Sequence, residues 1–191
     1  LEIGAKHSDV QIRRYPWLFG ALGQVPSRVA LICENPSLAG VQSAHAQTID
    51  GGPPDIEAQW WGGPTDPAAT RFRVVLHQLG LKATPPSARG GWCCYITNVI
   101  KEADIAKDHG ALSDASKLER ARAWADVLSW ELSQVRPQVV VCVGGNAARF
   151  VAGLQKERLL PRFKAHHIWH YSARGSHDKV RGKMIAGTMD A

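Results

Sequence analysis

A carboxylate and an amide directly follow a run of apolar residues in the segment 31–40, LICENPSLAG. Glu34 and Asn35 come immediately after Cys33, and the next residue, Pro36, prevents the chain from continuing as an inner strand of a sheet. A carboxylate can stabilise a developing positive charge, and an amide can orient a water molecule. Asn-Pro is also a common turn-forming pair, so the local sequence leaves a catalytic and a structural interpretation open.

Three other apolar runs end in residues of similar chemical character. Asn98 lies near the end of the second run, the segment 144–146 (GGN) follows the third, and His170 ends the fourth. In open parallel sheets, ligands bind outside the carboxyl ends of the strands. We therefore expect the amides, the carboxylate and the imidazole to meet at one edge of a sheet. A packed asparagine and a solvated histidine are the structural alternatives.

The pattern of apolar residues predicts alternating strands and helices. The first and third runs are continuously apolar, which is typical of strands covered on both faces in a parallel sheet. We therefore expect a single domain over residues 1–191, an α/β protein with three layers (α/β/α) around a central four-stranded, mostly parallel sheet. The predicted strands span 28–33, 92–100, 138–143 and 165–170, and the predicted helices span 67–79, 113 or 114 to 135, and 144–154.

The composition is that of a globular protein with a basic balance of charge. Hydrophobic residues make up 45% of the 191 residues, and the formal net charge is +6. A positive balance favours a polyanionic partner such as nucleic acid. No apolar run approaches the roughly 20 residues that span a membrane, so no membrane partner is expected.

The four cysteines lie inside apolar runs, and the sequence contains no CxxC pair. This pattern is typical of reduced, buried thiols and favours a cytoplasmic protein. Cys93 and Cys94 are adjacent and would point to opposite faces of a strand. We therefore expect no zinc or iron–sulfur site.

Four short motifs coincide with the ends of the predicted strands. Their sequences are CENPS (33–37), YITNVIK (95–101), VRPQVVVCVGGNAARF (135–150) and HYSARGS (170–176). In this order they resemble the motifs of the uracil-DNA glycosylase superfamily, and the middle two are most similar to a bacterial branch that often carries an iron–sulfur cluster. The cysteines that bind that cluster are absent from this sequence, so no cofactor is expected. Two further departures are Cys33 in place of a glycine and Tyr171 in place of a proline.

The resemblance implies a DNA repair enzyme that hydrolyses the N-glycosidic bond of uracil in DNA. It implies that His170 donates a hydrogen bond to O2 of the departing uracil. It also implies that the amide of Asn98 pairs with N3–H and O4 of the base. Asn35 is the first candidate to position the attacking water, and Glu34 is the second.

The remaining candidate residues are expected to contact the rest of the nucleotide. By the resemblance, Trp61 stacks on the flipped base, with Trp60 as the alternative. The loop after His170 offers no bulky apolar residue to fill the gap that a flipped base leaves. We therefore expect a preference for single-stranded or unpaired uracil. The candidate phosphate contacts are Ser37, Ser172, Lys101 and Arg174.

Two other function classes stay open at this point. A non-catalytic nucleic-acid-binding module could keep the fold and lose the chemistry, and the departures at Cys33 and Tyr171 are what favour it. A Rossmann-like nucleotide-binding protein is disfavoured because the sequence lacks G-x-G-x-x-G. The expected partner is uracil-containing DNA, bound by a monomer in the cytoplasm, in association with a bacterial nucleoid.

Overall fold

Strands and helices alternate along the chain in the computed structural model, which describes residues 22–38, 40, 57, 67–173 and 177–189. The strands in these ranges are β1 (Leu22–Gly23), β2 (Val29–Cys33), β3 (Tyr95–Asn98), β4 (Val139–Val143) and β5 (Ala165–Ile168). The helices in the same ranges are α1 (Pro67–Gln78), α2 (Ala106–Ala111), α3 (Asp114–Ala123), α4 (Ala125–Val135), α5 (Gly145–Lys156) and α6 (His177–Met189).

The five strands of the described ranges form one sheet in the order β1-β3-β2-β4-β5. β2 pairs in parallel with both β3 and β4, and β4 pairs in parallel with β5. The parallel set of four predicted strands is thus confirmed. β1 is a fifth strand that runs antiparallel to β3, so the sheet is mixed. Two residues are too few to establish an alternating pattern, which is why the sequence did not predict β1.

Side chains alternate along the strands and fill a hydrophobic layer on each face of the sheet. Ala30 and Ile32 of β2 lie in one layer, and Leu31 and Cys33 lie in the other. This alternation follows from the period of two in a strand and confirms the three-layer fold. The first layer includes Trp124, Leu128, Phe150 and Val151 of the helical segments α3 to α5, and the second includes Phe72, Val75, Leu76 and Met184 of α1 and α6.

The long helix predicted from 113 or 114 to 135 is divided in two at Trp124. Ser113 caps α3, because its Oγ accepts a hydrogen bond from the Ser116 backbone N–H at 3.1 Å. At Trp124, φ is −106° and ψ is 5°, which departs from helical geometry. The side chain of Trp124 is buried in the same hydrophobic layer as α3 and α4. The periodicity continues through this turn, so the sequence pattern did not indicate the break.

The first residues of the predicted strand 92–100 pair with the loop after α1 instead of with β2. The backbone N–H of Cys93 donates to the carbonyl of Leu81 at 2.9 Å. Trp92 forms an isolated bridge with Lys82. These contacts direct the segment before β3 towards α1, so only Tyr95–Asn98 joins the sheet.

Three of the four cysteines are buried, as the sequence predicted, and Cys93 is half-buried. Burial raises the pKa of Cys94 and of Cys142 to about 12, so both thiols stay neutral at physiological pH. Among the helices of the described ranges, none has the length and apolar character needed to cross a membrane.

Candidate active site

The carboxyl ends of β2, β3, β4 and β5 lie side by side because these strands are parallel. The register pairs Cys33 with Asn98, and Val143 with Ile168. Glu34 therefore leaves β2 directly beside the end of β3, and the turn after β5 lies beside the start of α5. The strand ends that the sequence predicted to meet do meet at one edge of the sheet.

His170 follows β5 and is held in one orientation by the turn that comes next. The backbone N–H of Ser172 donates to Nδ1 of His170 at 3.2 Å, and Oγ of Ser172 lies 2.6 Å from the same nitrogen. Because a backbone N–H can only donate, Nδ1 is the accepting nitrogen. The neutral ring therefore carries its hydrogen on Nε2.

The environment of His170 favours the neutral ring. Burial lowers the pKa of His170 below the ordinary histidine value, and the negative charge of Glu34 acts in the opposite direction with a smaller effect. At neutral pH the ring is therefore uncharged and has a hydrogen-bond donor at Nε2. Such a ring can stabilise an anion by hydrogen bonding without transferring a proton.

Gly144 and Tyr171 shape the space around the His170 ring. Gly144 has φ 96°, and a Cβ at this position would lie 3.2 Å from Cβ and Cδ2 of His170. The Tyr171 ring stacks on the imidazole with 4.2 Å between ring centroids. Nη1 of Arg71 donates to the Tyr171 carbonyl at 2.7 Å. The tyrosine that replaces the expected proline is thus a packed support for the imidazole.

Asn98 ends β3 with its amide buried in the protein. The residue is 0% exposed, and among the described residues neither Oδ1 nor Nδ2 has a hydrogen-bond partner. An unpaired buried amide costs roughly 1–3 kcal/mol of stability, so such groups are rare in folded proteins. A bound molecule with one acceptor and one donor would satisfy both atoms.

Glu34 is held by side chains from three helices. Nδ2 of Asn146 in α5 donates to Oε1 at 2.9 Å and to Oε2 at 3.0 Å. Nε2 of His109 in α2 lies 2.9 Å from Oε1. Nζ of Lys117 in α3 lies 3.8 Å from the same oxygen. The carboxylate is fixed and surrounded by positive or hydrogen-donating groups.

Asn35 and Ser37 have simpler surroundings than Glu34. Nδ2 of Asn35 donates to the carbonyl of Pro36 at 3.2 Å. Oγ of Ser37 accepts a hydrogen bond from the Gly40 backbone N–H at 3.0 Å, and the serine side chain is exposed. Both contacts are typical of a turn after a strand. Ser172, which contacts His170, is also exposed.

The surroundings of Lys101 do not fit the predicted phosphate contact. Lys101 is 1% exposed, and its Nζ lies 2.6 Å from Oε2 of Glu131 and 2.6 Å from Oγ1 of Thr97. A lysine that is paired inside the core cannot reach a nucleic acid backbone without breaking this contact. Lys101 instead ties the end of β3 to α4.

The geometry of this sheet edge agrees with the comparison against known protein families. The model of the uracil DNA glycosylase superfamily matches residues 21–185. This chain belongs to the uracil DNA glycosylase superfamily. Membership makes its function that of a DNA glycosylase in general, a hydrolase of DNA repair with DNA as its partner. No curated protein matches the sequence significantly.

Three of the predicted glycosylase site residues lie outside the described residues. They are Trp60, Trp61 and Arg174. The described part of this glycosylase contains no group of three or more His, Cys, Asp or Glu residues that could hold a metal ion.

Sequence reasoning missed the residues that hold Glu34 in this glycosylase. His109 stands in the segment AKDHGA, where most residues are exposed, and nothing in the pattern separates it from a solvated histidine. Lys117 likewise looks like a surface residue of α3. Asn146 belongs to the segment 144–146 that follows the third apolar run, and the sequence does not indicate that its amide binds Glu34.

Proposed function

We propose that this glycosylase hydrolyses the N-glycosidic bond of uracil in DNA, as the first step of base excision repair. The observation that carries the proposal is the buried amide of Asn98, whose polar atoms have no partner among the described residues. An amide offers a donor and an acceptor side by side, which complements O4 and N3–H of uracil. Cytosine presents the inverted pattern, so an amide held in one orientation rejects it.

His170 is suited to stabilise the departing base. As the glycosidic bond breaks, negative charge develops on the uracil ring, and Nε2–H of the neutral imidazole can donate to O2. Removing one such preorganised donor typically costs about 2.7–4 kcal/mol of transition-state stabilisation. The contact between Nδ1 and Ser172 supports this role, because it keeps the hydrogen on Nε2.

The attacking water and the sugar are assigned to the end of β2. Asn35 is the first candidate to orient the water, because an amide suits a reaction in which the bond to the base breaks early and little general base catalysis is needed. Glu34 is the second candidate, and its negative charge also stabilises a sugar cation. We assign Trp61, or Trp60, to stacking on the flipped base, and Ser37, Ser172 and Arg174 to phosphate contacts.

We further propose that uracil in single-stranded or unpaired DNA is the preferred substrate. The segment 172–179, SARGSHDK, supplies no bulky apolar side chain to replace a base in a duplex. The enzyme would therefore gain little from opening a matched pair, whereas an unpaired base needs less energy to leave the stack.

The test uses a labelled oligonucleotide with one uracil, incubated with the protein and then treated with alkali, which cleaves the strand at an abasic site. The wild-type protein should produce scission, and His170→Ala should lower the rate by about 100-fold or more. His167→Ala, a change at an exposed histidine of β5, is the matched control and should keep the wild-type rate.

Binding of the uracil oligonucleotide without scission by the wild-type protein would contradict the proposal and would indicate a non-catalytic module. Equal scission rates for matched single-stranded and double-stranded substrates would contradict only the proposed strand preference.

A further inference from the structure

His170 is the first residue of a β-turn that follows β5. The backbone N–H of Ala173 donates to the His170 carbonyl at 2.9 Å, which closes the turn over residues 170–173. Tyr171 therefore stands at the first of the two central positions, where proline is favoured because its ring fixes φ. Proline there would also restrict the backbone of the preceding residue, which is His170. Tyrosine supplies neither restraint, so the turn depends on other contacts for a fixed conformation.

Arg71 of α1 binds the backbone of this turn, although it lies 100 positions away from Tyr171 in the sequence. Its Nη1 donates to the Tyr171 carbonyl at 2.7 Å and to the Ala173 carbonyl at 3.4 Å. A hydrogen bond from a charged guanidinium is stronger than one between neutral groups, and the planar guanidinium holds its donors in a fixed arrangement. One side chain thus joins two carbonyls of the turn that carries His170.

The guanidinium of Arg71 is not a solvated surface group. The residue is half-buried, and its Nε is buried without a hydrogen-bond partner among the described residues. A buried donor without a partner is unfavourable, so this placement needs compensating contacts. The carbonyls of Tyr171 and Ala173 supply such contacts to Nη1.

The ring of Tyr171 links the imidazole of His170 to the hydrophobic core. The ring centroids of Tyr171 and His170 are 4.2 Å apart, and those of Tyr171 and Phe72 are 4.7 Å apart. Phe72 is 1% exposed and directly follows Arg71 in α1. Adjacent residues of one helix thus hold the backbone and the ring of Tyr171.

We propose that Arg71 is a positioning residue for His170, and that its contacts to the turn supply the restraint that a proline at position 171 would give. Arg71 acts through the turn and not on the substrate. This inference rests on the proposed uracil-excision function, because the excision rate is one of its two readouts.

The turn determines which nitrogen of the His170 ring carries the hydrogen. The backbone N–H of Ser172 donates to Nδ1 only while the turn keeps Ser172 beside the ring. Without that donor, the hydrogen of the neutral ring distributes over both nitrogens, and a ring with its hydrogen on Nδ1 has no donor at Nε2. Loss of Arg71 therefore lowers the fraction of protein that can donate to the departing base.

The kinetic test measures the single-turnover excision rate and the KM with a single-stranded uracil oligonucleotide. Arg71→Gln should lower the rate by about tenfold or more, while KM stays within about threefold of the wild type. Arg71→Lys keeps the charge and one donor nitrogen, so it should recover part of the rate. Arg162→Gln removes the same charge at an exposed arginine before β5. It is the matched control and should keep the wild-type rate.

A change at Tyr171 tests how Arg71 acts. Tyr171→Pro fixes φ within the turn, so adding Arg71→Gln to it should lower the rate by less than about threefold. Circular dichroism and thermal unfolding show whether each variant is folded. The proposal is overturned if folded Arg71→Gln keeps the wild-type rate, or if Arg71→Gln lowers the rate by the same factor with Tyr171 and with proline. If Tyr171→Pro does not fold, the nitrogen signals of His170 decide.

The nitrogen signals of the His170 ring do not depend on activity. In ¹⁵N-labelled wild-type protein at about pH 8, where the ring is neutral, Nε2 should give the shift of a protonated nitrogen and Nδ1 that of an unprotonated one. The loss of these signals in His170→Gln assigns them. In Arg71→Gln the two shifts should move towards each other, whereas in Arg162→Gln they should stay in place.

Unchanged His170 shifts in folded Arg71→Gln would overturn the positioning role. If the wild-type protein does not excise uracil and the shifts still move in Arg71→Gln, the uracil-excision function is refuted and the positioning of His170 by Arg71 stands.

Discussion

The amide of Asn98 is buried in the protein, and within the described part of the chain neither of its polar atoms is paired. Leaving this amide unpaired therefore reduces the stability of the protein without DNA. Asn98→Leu replaces the amide by an apolar group of similar shape and should raise the free energy of unfolding by about 1–2 kcal/mol. The same change should lower uracil excision by about 100-fold or more, because it removes both hydrogen bonds to the base.

Urea denaturation and single-turnover kinetics measure the two effects in the same variant. The opposite directions of the two changes distinguish a recognition residue from an asparagine that supports the fold. A structural asparagine would give lower stability together with lower activity, and that outcome would contradict the role assigned to Asn98.

The lowered pKa of His170 predicts a pH dependence of stability. Burial makes the pKa lower in the folded protein than in the unfolded chain, so the unfolded chain binds more protons between the two pKa values. The contribution of the neutral ring is complete above the unfolded-state pKa and is lost as the pH falls through the folded-state pKa. The wild-type protein should therefore lose more unfolding free energy between about pH 7 and pH 5 than His170→Gln. Equal losses in urea titrations at the two pH values would contradict this prediction.

Residues at strand ends were predictable, and residues that approach them from helices were not. Glu34, Asn98 and His170 follow apolar strands, and the parallel sheet requires such positions to share an edge. His109 contacts Glu34 across 75 positions of the sequence, and only the path of the loop after β3 brings it there. Lys101 was wrongly predicted to contact a phosphate, because a lysine near a strand end is usually exposed. Its buried carboxylate partner is 30 positions away in the sequence, so the pattern around Lys101 does not indicate the pairing.

At the scale of elements, the buried ion pair between Lys101 and Glu131 joins the segment after β3 to α4. Burial lowers the pKa of Lys101 and raises that of Glu131, and the 2.6 Å contact between Nζ and Oε2 opposes both shifts. Removing one partner leaves the other charge unpaired in the core, so Lys101→Met should lower the free energy of unfolding by about 3–5 kcal/mol. The double change Lys101→Met with Glu131→Leu should recover most of this loss.

Urea denaturation of the two single variants and the double variant measures this coupling. If the stability loss of the double variant equals the sum of the losses of the two single variants, this outcome would contradict a direct interaction between Lys101 and Glu131. Because Thr97 bonds both partners and precedes Asn98, the single variants should also show slower uracil excision than the double variant.

The alternation of strands and helices was predictable because each strand is a short apolar run between turn residues. The boundaries of the strands and helices were less predictable. The segment 92–100 has the composition of one strand, but hydrogen bonds from its first residues to the loop after α1 shorten it to Tyr95–Asn98. Likewise the break at Trp124 depends on packing against the sheet, and a helical periodicity continues through it.

At the scale of the whole molecule, the charge that attracts DNA and the buried residues of the candidate site are different groups. The net charge of +6 favours DNA, whereas Asn98 and His109 are largely shielded from solvent. Salt screens phosphate contacts. The logarithm of the affinity for single-stranded nucleic acid falls with the logarithm of the salt concentration, with a slope of about −0.7 per phosphate contact. Buried contacts are screened much less.

Raising the salt concentration from about 50 to 200 mM should therefore raise KM for a single-stranded uracil oligonucleotide severalfold or more, because counterions compete for the phosphates. The single-turnover rate at saturating enzyme should change by less than about twofold, since the amide proposed to contact the base lies inside the protein. Measuring both quantities over one salt series tests the separation. A rate that falls in parallel with affinity would show that exposed charges take part in bond cleavage, and would move the catalytic groups from the sheet edge to the surface loops.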